Sequence, residues 1–267
     1  MGANTKQLQN RIKSVDSTLH LTKAMGLVAS SKIRRAMDGM AKSRQYERAV
    51  NKTISQLTSS PECRRSPYMQ ENADGRICLV VIAGDRGLAG GYNANIFRAL
   101  REYEDIDVVP IGKRACDRFK KPVKLAEKFD YPDAIAIAKE ICADFADKKY
   151  SKVGILCTKY NSMLSQEAMV KWVLPLVASE SEKACGMIFE PDELTMLNTT
   201  VPEYVAGVVI SSVRESFASE VAARRTAMDS AGKNAQEMID GLQLEYNRAR
   251  QGAITQEITE IVAGSGV

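Results

Sequence analysis

"LQNRIKSVDSTLHLTKAMGLVASSKIRRAMDGM" (8–40) sets apolar or small residues in alternating steps of four and three: Leu8, Ile12, Val15, Leu19, Thr22, Gly26, Ala29, Ile33, Ala36 and Met40. That is a 3.5-residue repeat, the spacing of a coiled-coil seam, held over more than four heptads. Residues 3 to about 57 contain no proline and only two glycines, Gly26 and Gly39. A helix of that length measures about 80 Å at about 1.5 Å per residue. A core built by a chain of this size could not cover it.

The other end of the chain repeats the pattern. No proline occurs from Val205 to Val262. Val209, Val213, Phe217 and Val221 start a stripe, and Met228, Ala231, Ala235, Met238 and Leu242 continue it. Tyr246, Ala249 and Ala253 extend it after a small stutter. Ile254, Ile258, Ile261 and Val262 give the last turns a fresh apolar edge. Neither helix can bury its stripe alone, because helices in proteins gain most of their stability from packing. Pairing the two antiparallel, as a shaft projecting from the middle of the chain, solves both problems. A glycine on the seam costs about 1 kcal/mol against alanine. Gly26 is therefore expected to permit close approach of another backbone, either for tight crossing or for a functional contact.

Between the helices the texture changes. "TSSPECRRSPYMQENADG" (58–75) has two prolines and a cluster of turn formers, and reads as a linker. From Arg76 to about 204, apolar runs such as "ICLVVIA", "DVVPIG" (107–112) and "KVGILC" (152–157) alternate with the helical spacing of 133–150. Such alternation predicts a doubly wound, Rossmann-like α/β sheet. Residues 169–177 are a candidate for a further strand, and 179–194 for a surface excursion. The predicted fold is α/β: a long antiparallel coiled coil of residues 1–57 and 205–267, a linker at 58–75, and a central α/β domain at 76–204.

Composition excludes several chemistries. No run of about 18 apolar residues exists, so no membrane span is expected. The first residues form neither an apolar signal core nor an arginine-rich transit segment, which predicts a location in or facing the cytosol. Cys63, Cys78, Cys116, Cys142, Cys157 and Cys185 form no C-x-x-C pair and read as reduced packing thiols. His20 is the only histidine and reads as a solvated helix residue, so a zinc site is not expected. Charge is uneven. Residues 1–58 hold eleven Lys and Arg against three Asp and Glu, a net of +8 in a chain whose total is +4. A basic helix is either a solvated face or a partner surface for something acidic: nucleic acid, membrane or protein. Only Tyr46 interleaves with these cations, which argues against a single-strand stacking platform.

The glycine-rich "VVIAGDRGLAGGYNANIF" (80–97) invites a nucleotide reading, since it runs from a strand into a helix. It matches neither G-x-x-x-x-G-K-[ST] nor G-x-G-x-x-G, because Gly84, Gly87 and Gly90 are three apart and Arg86 is its one cation. The structural alternative is a sharp turn held by Asp85, Arg86, Gly87, Gly90, Gly91 and Asn93, with Asn93 or Asn95 capping the next helix. No catalytic set assembles with any specificity. No cofactor and no metal is expected.

At this point the pieces match a family. The chain resembles the γ subunits of F-type ATP synthases from Lys6 to Gly266. "SVDSTLHLTKAMGLVASSKIRRA" (14–36) is similar to the family's S-V-x-x-T-x-x-I-T-K-A-M-x-x-V-A-x-x-K. "DRGLAGGYN" (85–93) is similar to D-R-G-L-C-G-G-x-N, and "NRARQGAITQEITEIVAGSG" (247–266) to the terminal signature I-T-x-E-x-x-E-I-V-x-G. Leu19, His20 and Leu21 depart from the usual Gln-Lys-Ile, Ala89 from cysteine and Ser265 from alanine.

The resemblance implies a non-catalytic rotor stalk that carries torque between the membrane c-ring and the catalytic α/β hexamer. Its partners would be the α and β subunits, the ε subunit and the c-ring, with no nucleic acid. It would lie peripherally on the cytoplasmic face of a bacterial plasma membrane. Thr22, Lys23, Met25, Lys32, Arg34 and Arg35 would meet the acidic lever segments of β. Arg250, Gln251, Thr255 and Glu257 would meet loops of α and β, and Ile258, Ile261 and Val262 would turn, with Ile254, in an apolar sleeve. Competing readings are a nucleotide-dependent enzyme using the Gly84–Gly91 loop and a basic coiled-coil nucleic-acid binder.

Overall fold

The structure, a computed structural model, describes residues 3–178 and 189–266. Cys185 and most of the excursion expected at 179–194 lie outside these residues. The long terminal helices are α1 (Ala3–Thr58) and α5 (Glu193–Gly264), of 56 and 72 residues. The chain divides into two compact units. One holds the chain through Ser30 together with Arg224 onward; the other runs from Ser31 to Ala223.

The first unit is an antiparallel pair of helical stretches. Leu19 packs with Ala235 and Ile239, flanked by Ile12 and Val15. Thr22 lies beside Gly232, and Gly26 faces Met228, so residue numbers fall on one helix as they rise on the other. The seam read from the sequence holds along α1 in this unit: Leu8, Ile12, Val15, Leu19, Thr22, Gly26 and Ala29 are all buried or half-buried. On α5 one position needs correction. Met238 is 48% exposed, and Ile239 takes the seam position four residues after Ala235. A three-step from 235 carries the side chain around to the solvent face, whereas a four-step keeps it on the partner. Gly26 also differs from expectation. A methyl there would sit 3.7 Å from the Met228 Cβ, an ordinary contact. Gly26→Ala should therefore be tolerated and raise stability by up to about 1 kcal/mol, read from the urea midpoint; a drop would mean that the helices approach more closely than this.

The second unit is built on a four-stranded sheet of order β2-β1-β3-β4. Strands β1 (Arg76–Ile82), β2 (Ile106–Ile111) and β3 (Tyr150–Tyr160) pair in parallel, and β4 (Gln166–Leu174) returns antiparallel to β3. The continuous apolar run of β1 has its reason here, because both sheet faces are covered. Leu79, Val81 and Ala83 point to α2 (Tyr92–Leu100) and α3 (Lys113–Phe119), where Ile96, Leu100 and Ala115 cover them. Cys78, Val80 and Ile82 point to the opposite face. There α4 (Tyr131–Ala146) contributes Ile137, Ile141 and Phe145, α1 contributes Leu57, and α5 contributes Val205, Val209 and Val213. Asp130 and Asp133 close a capping box at the start of α4.

Three local readings shift. Residues 58–75 are more than a connector: two 3-10 turns, Glu62–Arg65 and Pro67–Met69, bury Cys63, Ser66 and Tyr68 in the main core. Helix α5 begins at Glu193, ahead of the 205 expected, and takes Pro202 into its interior. Interior proline costs a helix about 3 kcal/mol, but Leu197, Val201 and Val205 around it are wholly buried, and that burial prevails. The candidate strand at 169–177 starts earlier and stops at Leu174, since Pro175 cannot donate to a ladder.

Candidate functional site

The glycine loop that follows β1 is held by its own side chains. Strand β1 passes a last ladder bond, Ala83 N–H to the Ile111 carbonyl at 2.9 Å. Gly84 then runs against the buried carboxylate of Glu220, where a methyl would come within 2.9 Å of its Cδ. Leu88 and Gly90 take positive φ values of 60° and 56°, which reverse the chain toward α2. Asn93 does not cap α2; Gly91 stands at that position, and Asn95 supplies no cap either. Instead Asn93 reaches back, accepting the Gly84 N–H at 2.9 Å and donating to the Arg86 carbonyl at 3.3 Å. A side chain that bonds two loop groups closes the turn more tightly than one that caps a helix.

Asp85 decides what the loop does. Its Oδ1 accepts the N–H groups of Lys113 and Ala126, at 3.0 and 2.9 Å, and its Oδ2 accepts that of Glu127 at 2.9 Å. Converging backbone N–H groups beside a helix start are what a phosphate cradle needs. Here the chain's own carboxylate fills it. Arg86 faces Glu127 at 3.8 Å, and Lys32 on α1 donates to the same carboxylate at 2.5 Å. The loop is thus a fastening between β1, α3, the 126–127 segment and α1.

The side chains named as contacts fall into separate places. In the first unit Thr22 is buried and donates to the Leu19 carbonyl at 2.9 Å, Lys23 is exposed and Met25 half-buried. On the same unit's other helix Arg250, Gln251, Thr255 and Glu257 are exposed. Ile254, Ile258, Ile261 and Val262 are 43%, 55%, 69% and 63% exposed. Given the pairing of Thr22 with Gly232, this second group begins about 27 Å further along α5 at 1.5 Å per residue. The two groups do not meet in one site. In the other unit Arg34 and Arg35 are exposed, while Lys32 is paired within the chain.

A protein-family model described as ATP synthase matches residues 4–266. The chain is 35% identical to the ATP synthase gamma chain of Geotalea uraniireducens, over 98% of each. It is 37% identical to that of Ruminococcus albus, again over 98% of each. The chain belongs to the ATP synthase γ-chain family. A relative from Acetobacterium woodii, named as sodium ion specific, is 35% identical over 99% of each. Among solved structures, a chain of the Euglena gracilis mitochondrial ATP synthase (OSCP/F1/c-ring, rotational state 3) superposes with TM-score 0.71 and 17% identity, covering 100% of this chain and 97% of that one. That likeness shows the shared fold: coiled coil plus Rossmann-like domain. In this γ-family chain no helix among the described residues is long and apolar enough to cross a membrane.

One cluster escaped the sequence reading. Glu215 lies on α5, 4% exposed at its side chain, where the stripe predicts a polar residue between Val213 and Phe217. It accepts from Arg44 on α1 at 2.6 Å, from Lys171 on β4 at 3.2 Å and from the Tyr160 N–H of β3 at 3.1 Å. Burial alone would raise its pKa; Lys171, Arg44 and the Tyr160 N–H reverse that and hold it below the usual carboxylate value. Burial likewise pulls Lys171 down, and the neighbouring Cys157, Glu47 and Glu215 lift it above the ordinary lysine value. The available signal was composition. From Ser211 to Glu220, α5 buries Ser211, Ser212, Glu215, Ser216, Ser219 and Glu220 beside the apolar Val213 and Ala218.

Proposed function

We propose that this γ-family chain is the central rotor stalk of an ion-driven ATP synthase, with no active site of its own. It transmits torque between a membrane c-ring and an α/β hexamer. The observation that carries the reading is the terminal apolar edge. Near the end of α5, Ile254, Ile258, Ile261 and Val262 are all exposed. Apolar residues spaced along one exposed helix end fit a sleeve that touches them without gripping charge. The loop supports the non-catalytic part, since Asp85 occupies the N–H groups that a phosphate would use.

Within this proposal residues 1–57 and 205–267 form the shaft and 76–204 the foot, which meets the ε subunit and the c-ring. Lys23, Met25, Arg34 and Arg35 face the levers of β, and Arg250, Gln251, Thr255 and Glu257 the loops of α and β. The complex sits on the cytoplasmic face of a bacterial plasma membrane, a setting supported by the bacterial relatives. Mixing settles it. The isolated chain is expected to hydrolyse no ATP, to co-purify with tagged β subunit from the native source, and to restore sustained hydrolysis to α and β. Hydrolysis by the chain alone, or nucleotide binding lost on Arg86→Ala, would overturn the reading.

A further inference from the structure

We infer that Glu215 is the positioning residue that makes the α1–α5 pair turn with the sheet rather than slip over it. The inference rests on the rotor reading.

Strand β1 borders β3 only as far as Leu156, so the next β3 residues have lost their ladder on that side. Side chains of α5 replace it. The Thr158 N–H donates to Ser216 Oγ at 3.0 Å, the Thr158 carbonyl accepts from Ser219 Oγ at 3.3 Å, and the Tyr160 N–H donates to Glu215. Helix α5 is therefore bonded to β3 as a further strand would be, through side chains of fixed position. The same Glu215 carboxylate reaches Arg44 on α1 and Lys171 on β4. Lys171 also lies 3.6 Å from Glu47 of α1, and Glu47 accepts from Ser211 of α5. Four elements converge on one buried group.

Apolar contacts alone would not do this. A greasy helix face slides with little penalty, because one methyl contact replaces another. Moving Glu215 by one helical step strands a buried carboxylate and takes from Arg44 and Lys171 the partner they share, leaving Lys171 only the longer contact with Glu47, and breaking a buried pair is costly. Such networks fix register, which is what a torque-bearing joint needs. Glu215, Arg44, Glu47 and Lys171 line a cleft of about 540 Å³ together with Arg48 and Lys159, and the Glu215 side chain is 4% exposed in it.

The test uses the whole rotary complex carrying Glu215→Gln, which keeps shape and removes charge, or Lys171→Met, which spares the Arg44 and Tyr160 bonds. Measured are ATP hydrolysis without load, ions pumped per ATP against a gradient, and torsional stiffness by single-molecule rotation. Assembly and unloaded hydrolysis are expected to stay near the parent. Pumping per ATP is expected to fall about threefold in Glu215→Gln, and less in Lys171→Met, with stiffness falling in the same order. Parent-like coupling and stiffness in Glu215→Gln would overturn the inference. If that variant does not assemble, parent-like values in Lys171→Met overturn it instead. A parent complex in which this chain does not turn would sink the rotor reading, a separate and distinguishable outcome.

Discussion

Gly112→Ala is expected to destabilise the α/β unit by more than about 4 kcal/mol, a range reached only through gross strain or burial errors. Gly112 follows β2 with φ at +90°, outside the reach of residues with a side chain. A methyl there would sit 1.9 Å from the Ala83 carbonyl oxygen and 2.8 Å from its carbon. Neither atom can retreat. The Ala83 N–H is bonded to Ile111 at 2.9 Å, and the Gly112 N–H to the Lys124 carbonyl at 2.7 Å. The residue thus stands where the glycine loop of β1 crosses the end of β2, and both sides are fixed. Little soluble protein, or a urea midpoint far below the parent, is the expected result. Gly39→Ala is the control, because nothing lies within 4 Å of a methyl there; it should be neutral or stabilising by about 1 kcal/mol. A Gly112→Ala protein within about 1 kcal/mol of the parent would mean the crossing is looser than described.

The long helices were legible because a coiled-coil seam is a repeated, one-dimensional signal. Leu8, Ile12, Val15, Leu19 and Ala29 are all buried or half-buried at the steps the sequence predicts, and Ile12, Val15 and Leu19 pack with Ala235 and Ile239 of the partner. Strand β1 was legible for a similar reason, since seven residues of near-continuous apolar character suit a strand covered on both faces. What failed was local arbitration. Met238 and Ile239 are both apolar, and only the partner helix decides between them. The second helix was expected from 205, and the burial of Leu197 and Val201 carries it back across Pro202 to Glu193.

The site was harder to read because its contacts are distant in sequence. Asp85 and Glu127 are far apart along the chain, as are Arg44 and Glu215. No periodicity links such pairs. The family motif flagged Asp85 and Asn93 as a turn, yet it gave no sign that Asp85 ties the loop to residues 113, 126 and 127. Lys32 illustrates the converse. On a basic helix it reads as a surface cation facing outward, and it is instead bonded to Glu127.

Asp85→Ala is the second large effect, expected to cost about 3 kcal/mol, from bonds of about 1.5 to 3 kcal/mol each to a charged acceptor less what water restores. Three backbone N–H groups lose their acceptor together, at Lys113, Ala126 and Glu127. Asp85 is half-buried, so water can replace part of the loss. The thermal midpoint should fall by roughly 6 to 12 °C for a unit of this size. Asparagine discriminates shape from charge. Asp85→Asn keeps one oxygen for two of the donors but turns an N–H₂ toward the third, placing donor against donor. It should therefore stay clearly below the parent while exceeding alanine. The loss should spread beyond the loop, because Glu127 also receives Lys32 of α1 and lies 3.8 Å from Arg86. Hydrogen exchange would register faster opening at residues 84–93 and at the start of α3 together. If Asp85→Asn matches the parent and exchange rises only in the loop, the carboxylate is an ornament of the turn rather than its fastening.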